Sequence, residues 1–266
     1  MHDGECDGSG KRIKSVEKAF AILELIRDRE TVGVTELAAD LDCAKSTVHH
    51  YIKTLEALDY LENDDGQYRL GIRLLGLGGP ARANQQLYQL AKDDVDEIAA
   101  ETGEQARLIA EQNGYGITLY QSTGENVSEP YGPLGSIEHL HCTAAGKAFL
   151  AELTPERASD FIDDIDFVAH TENTITDPEK LLAALETIRK RGVAFDDQER
   201  YEGVRCVATA VTSKTDQPYG AISVAGASER MDGDRYQKSI PDLIQNVAGV
   251  VEVNTAYSDW AERSHQ

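Results

Sequence analysis

The chain has 266 residues and 41% hydrophobic content, enough for a sizeable core in two small domains or one large one. Lys and Arg total 26 against 47 Asp and Glu, a formal net charge of −21, which excludes a basic coat as the means of holding nucleic acid. No apolar run is long enough to span a bilayer, the first residues lack an apolar signal core, and Cys6, Cys43, Cys142 and Cys206 lie too far apart for a disulfide or zinc framework, so a cytoplasmic protein is expected.

Residues 1–11 are polar and Gly-rich and are expected to form a disordered tail. A helix is predicted from Ser15 as N-cap, with Val16, Ala19, Phe20, Leu23 and Ile26 on its apolar face. Thr35 is the predicted cap of a short helix with Leu37, Ala38 and Leu41 inward. Asp42, Cys43 and Ala44 make the turn. A second helix starts near Lys45 and Ser46, with Val48, Tyr51, Ile52, Leu55 and Leu58 inward. Tyr60–Glu62, a turn at Asn63–Gly66 and Gln67–Leu70 read as a β-hairpin.

From Gly71 the pattern changes. Leucines alternate with glycines up to Pro80, and a long polar helix over about 84–101 reads as a linker. Strands are expected at 105–111 and 116–121, and a short helix at 144–153. Thr154-Pro155 and Asp177-Pro178 are N-cap and first-turn proline signals, the second helix stopping at Gly192. Apolar, β-branched strands follow at 193–196, 205–211 and 219–225. A closing helix spans about 241–262, and residues 257–266 are taken as a C-terminal tail.

Three helices and a hairpin within about sixty residues are the layout of a winged helix-turn-helix. The outward residues of its second short helix and of the hairpin are Lys45, Ser46, Thr47, His49, His50, Lys53, Thr54, Gln67 and Arg69. In so acidic a chain an acid-free face of Lys, His, Ser and Thr points to the phosphates and base edges of double-stranded DNA. A solvated packing module is the structural alternative.

The run KSTVHHYIKTLEALDYLENDDGQYRLGIRLLGLG resembles the recognition helix, wing and linker start of the IclR family of transcriptional regulators. His50 stands where members of that family often carry Arg, so the family's base preference does not carry over. The runs HLHCTAAGKAFLAEL, LLAALETIRKRGVAFDDQERYEGVRCVATAV and YGAISVAG resemble the same family's effector domain, a GAF-like α/β fold. Thr143–Gly146 opens a helix with small side chains and free N–H groups, which suits a carboxylate or phosphate. By resemblance Ala144, Ala145, Asp196, Val204, Cys206 and Ser223 fall where family members contact a small organic acid. Ala225 replaces a serine there and removes one hydroxyl.

The expected architecture is therefore α+β: a winged helix-turn-helix at 12–73, then a linker helix and GAF-like effector domain at 74–256. The expected function is sequence-specific transcriptional regulation by a homodimer or homotetramer, as repressor or activator, modulated by a carboxylate or sugar-derived acid. The alternative is a metabolite-binding enzyme with an accessory winged helix. His139, His141 and Cys142 are three potential metal ligands within one short run, but no second cluster accompanies them and no metal is assigned. Cys206 and His141 could mimic a Cys–His nucleophile pair, yet no oxyanion loop or phosphate motif lies beside them. No catalytic residue and no cofactor is therefore expected.

The acid is not a tail. Residues 1–80 hold 10 basic and 15 acidic residues, and residues 81–266 hold 16 and 32. Such a surface repels itself in dilute salt and is screened at about 1 M, where the Debye length is roughly 3 Å. Adaptation to a salty cytoplasm is the expectation, an ordinary acidic soluble protein the alternative.

Overall fold

The computed structural model describes residues 13–212 and 218–264; the tail expected at 1–11, with Cys6, lies outside them. Packing divides the chain into two units, Met1–Ala81 and Arg82–Gln266.

In the first unit α1 (Lys14–Arg29) starts one residue before the expected cap. The amides of Val16 and Glu17 bond back to the Ile13 carbonyl at 2.9 and 3.2 Å, so Ser15 lies within the first turn and caps nothing. The core takes Leu23 and Ile26 of the expected face together with Ile22, which the expectation left off it. Ile22 and Ile26 are fully buried, whereas Val16 and Phe20 are 50% and 60% exposed. Next come β1 (Val32–Gly33) and α2 (Val34–Asp40). Gly33, not Thr35, precedes the first turn of α2, and Glu36 accepts the Gly33 N–H at 2.9 Å.

After a turn in which Asp42 adopts φ 46°, α3 (Lys45–Ala57) buries Val48, Ile52 and Leu55 but leaves Leu58, just beyond it, exposed. The hairpin of β2 (Leu61–Asp64) and β3 (Gln67–Leu70) pairs Asp64 with Gln67. Asp65 and Gly66 form its two-residue loop with φ 49° and 86°, the left-handed pair that matches strand twist. Tyr68 of β3 also pairs Val32, giving a three-stranded sheet closed over Ile22, Ile26, Leu37 and Ile52.

The two-residue β1 carries no periodicity that a sequence reading could use. Next come α4 (Leu75–Ala83), which buries no side chain, and α5 (Gln86–Thr102). The polar linker expected at 84–101 is thus amphipathic: Leu87, Ala91, Val95 and Ile98 of α5 are core residues of the second unit.

That unit is built on an antiparallel sheet of β4 (Gln105–Gln112), β5 (Tyr115–Thr123), β6 (Ile137–His139), β7 (Ala194–Asp197), β8 (Val204–Thr212) and β9 (Pro218–Ala227), in the order β6-β5-β4-β9-β8-β7. One face packs on α5 and α9 (Ile240–Ser264) through Leu108, Val207, Ile222 and Val224. The other packs on α6 (Ala144–Glu152), α7 (Pro155–Asp163) and α8 (Pro178–Arg191). The prolines open α7 and α8 as expected, with Thr154 and Asp177 hydroxyl and carboxylate capping the first-turn amides. Gly192 closes α8 at φ 73°. The backbone of α9 runs through most of the segment expected to be a tail; residues 265–266 lie outside the described ones.

Candidate DNA-binding face and effector site

On α3 the side chains named from the sequence lie on one side. Lys45, Ser46, His49, His50, Lys53 and Thr54 are exposed and Thr47 is half-buried against the core. The first turn contains no acid, so the positive end of the helix and Lys45 lie together as one electropositive end. The His49 and His50 rings meet edge to face at 6.5 Å. Thr54 turns its hydroxyl back to the His50 carbonyl at 2.8 Å.

The face is less free of acid than its sequence suggested. Glu56 holds Lys53 at 2.7 Å, and Glu62 on the neighbouring strand holds Arg69 at 2.8 Å. Both pairs are exposed, so each is worth little and a phosphate can replace the carboxylate. Gln67 and Arg69 project from the exposed hairpin.

The residues expected around an effector come together on the sheet face beneath α6. Two adjacent rows of the ladder run across the strands. In one, Gln105 of β4 is opposite Ala225 of β9, then Cys206 of β8, then Asp196 of β7. In the next, Arg107 is opposite Ser223, then Ala208, then Ala194. Ala144 and Ala145 cover this face from α6 in one cluster with Cys206 and Ala225, and Val204 packs at its edge half-buried. Thr143 caps α6 by accepting the Gly146 N–H at 3.1 Å. The amides of Ala144 and Ala145 belong to the first turn, which has no acceptors within the helix.

Asp196 is 2% exposed, while its neighbour Asp197 is at the surface and paired to Arg205. Burial pushes the Asp196 carboxyl up to about 7, against the pull of Lys147 and of the Glu199 N–H that it accepts at 2.6 Å. Burial also drives the Cys206 thiol far above its ordinary range and the Cys142 thiol up to about 12. Neither is a thiolate at neutral pH, so neither serves as a nucleophile. His141 bonds the Val168 carbonyl through Nε2 at 3.1 Å, and His139 meets His170 at 3.4 Å. Among the described residues no three His, Cys, Asp or Glu side chains converge as metal ligands.

Sequence reading missed two buried ion pairs here. Arg107 and Glu138 are 5% exposed and 3.4 Å apart, and Lys147 of α6 is ion-paired to Glu199. The signal was present: Arg107 and Lys147 are lone charges in the apolar runs QARLIA and AAGKAFLA. A separate cleft of about 510 Å³ is lined by Glu111, Tyr115, His139, Asp160, Phe161 and Asp166 and shares none of the named effector residues. Its carboxylates repel an organic acid.

Comparison with known proteins bears on the whole chain. Residues 15–65 match the IclR helix-turn-helix domain and residues 81–252 match the bacterial transcriptional regulator IclR C-terminal domain. A probable HTH-type transcriptional regulator ArcR of Halobacterium salinarum is 32% identical over 251 residues, covering 93% of this chain and 95% of the relative. The structure of the Thermotoga maritima IclR is 27% identical with a TM-score of 0.74, covering 92% of this chain and 99% of that one. An IclR homolog of Microbacterium hydrocarbonoxydans, complexed with 4-hydroxybenzoate, shares the fold at 18% identity with a TM-score of 0.76, covering 91% of this chain and 99% of that one.

Proposed function

This chain belongs to the IclR family of transcriptional regulators, and from that premise we propose that α3 enters the major groove of an operator while the sheet face beneath α6 senses a small organic acid. DNA contact is assigned to residues 12–73, with Lys45, Ser46, Thr47, His49, His50, Lys53, Thr54, Gln67 and Arg69 as contacts. Effector sensing is assigned to residues 74–256, with Thr143, Ala144, Ala145, Asp196, Val204, Cys206 and Ser223 around the ligand. The observation that carries the first assignment is the outward face of α3, which joins a helix N-terminus, Lys45 and two histidines with no acid in the first turn. Acting on operator DNA places the protein in the cytoplasm.

A single helix reads too few base pairs for a specific site, so the protein works as a homodimer or larger homo-oligomer. An apolar stripe supports this. Ile13, just before α1, and Val16 and Phe20 on it are 66%, 50% and 60% exposed, and Leu58 beyond α3 is 47% exposed. Exposed apolar area of this kind marks a surface that a partner covers.

The test is selection of genomic fragments by the purified protein at high KCl, with and without candidate organic acids. One enriched sequence whose capture an acid changes is the expected result. Turnover of the acid instead of its return unchanged defeats the regulator reading. Ala144→Leu places a large side chain at a position 1% exposed and removes the acid response.

A further inference from the structure

Arg107 is buried in β4, at 4% exposure, and its guanidinium is incompletely hydrogen-bonded. Its Nη1 lies 3.4 Å from Glu138 Oε1 and 3.3 Å from the Tyr131 carbonyl. Charge-assisted bonds of this type are normally about 2.7–2.9 Å long. Its Nε has no partner. Directly opposite on β9, Ser223 is 1% exposed and its Oγ also has no partner. Residues so paired have Cβ atoms about 4.5–5.5 Å apart on the same face. Two unsatisfied polar groups therefore stand side by side, under α6 and beside the small side chains of Ala208 and Ala225. Buried donors are rarely left so without a function.

We propose that Arg107, assisted by Ser223, is the seat of the effector's carboxylate, and that Glu138 is an internal anion holding that seat until the ligand displaces it. The inference deepens the effector reading and rests on it. An incoming carboxylate offers the guanidinium two oxygens in a plane, a geometry that Arg matches bidentately and that the long single contact to Glu138 does not supply. The exchange replaces one negative partner by another, so the buried cation is never uncompensated. Glu138 is free to yield because β6 is a three-residue strand at the sheet edge, paired only with β5. A neutral ligand of the same shape gains nothing from Arg107 and leaves Glu138 in place.

β6 leads directly through Leu140–Cys142 into α6. Displacing Glu138 therefore moves the segment that carries Thr143 and the start of α6.

The experiment is thermal unfolding and calorimetric titration of the full-length protein in about 1 M KCl. The probes are 4-hydroxybenzoate, pyruvate and gluconate, each beside its neutral amide (4-hydroxybenzamide, pyruvamide, gluconamide). At least one acid is expected to bind the parent while its counterpart does not. Arg107→Met is expected to weaken that acid by roughly 30-fold or more, as loss of one partner of a buried charge pair does. Glu138→Gln is expected to tighten it by roughly fivefold or more, since it removes the competitor.

An Arg107→Met protein that binds the acid like the parent overturns the proposal and leaves the effector reading standing. So does weakened binding by Glu138→Gln, which also decides the matter should Arg107→Met fail to fold. A parent that responds to none of the acids overturns both.

Discussion

Lys147 of α6 and Glu199, just beyond β7, form an ion pair that is almost completely buried, and the Glu199 amide is in turn held by the Asp196 carboxylate at 2.6 Å. One network thus ties α6 to the end of β7 across the face assigned to the effector. A single carboxylate faces a single ammonium there, and Asp196 is the third member whose charge decides the balance. The pair fixes where α6 begins relative to the sheet, and hence the height of the site.

Removing one partner of this pair leaves a charge buried without compensation. Lys147→Ala or Glu199→Ala is therefore expected to destabilise the fold by about 3–5 kcal/mol. For a protein of this size the melting temperature falls by roughly 10 °C. Lys147→Met with Glu199→Leu, which removes both charges and keeps the volume, is expected to melt close to the parent. A double variant as unstable as the single ones refutes the account.

Stability follows pH through Asp196. Its carboxyl rises from an ordinary 3.8 to about 7 in the fold, so the folded state holds the proton more tightly than the unfolded chain does. Stability from this group is full below pH about 4, falls as pH rises through the window to about 7, and is flat above it. Asp196→Asn keeps an acceptor for the Glu199 amide and removes the titration. Relative to that variant, the parent is expected to lose up to roughly 4 kcal/mol between pH 4 and 8. Urea midpoints across that range decide the matter: parallel curves for the two proteins are the contrary result.

Lys53→Ala is expected to weaken binding to all DNA alike and to reduce the salt slope by about 1, as loss of a phosphate contact does. His50→Ala is expected to change preference at one base position. Glu56→Gln releases Lys53 from its 2.7 Å partner and should strengthen binding regardless of sequence. Gel shifts in which all three variants behave like the parent rule out α3 as the reading helix.

Salt acts on this protein in two opposed ways. Contacts to phosphate weaken as counterions compete. The net charge of −21, however, repels both the duplex and the fold itself, and that long-range repulsion is screened first. Specific binding is expected to survive in about 1 M KCl, and below roughly 0.1 M binding is poor or accompanied by unfolding. Operator affinity and circular dichroism across the range test this. A stable fold in dilute buffer with affinity falling steadily as salt rises refutes salt adaptation without touching the regulator assignment.

Local rules made much of this protein legible from its sequence. Asp65-Gly66 sets the wing turn because both residues accept positive φ, and Asp177-Pro178 and Gly192 bracket α8 because a cap, a preset φ and a left-handed stop are properties of single residues. The exposed face of α3 was readable because polarity alternates at helical spacing. Tertiary structure alone decided the rest. It chose Ile22 and Ile26 over Val16 and Phe20 as the buried residues of α1, since all four are apolar and only the packing partner distinguishes them. It brought Arg107 opposite Ser223 and within reach of Glu138, 31 residues further along the chain, because strand register is a long-range pairing that no local pattern encodes. It also placed Asp196 inside and Asp197 outside: adjacent residues of a strand face opposite ways, and which way is inward is known only once the sheet has a helix on one side.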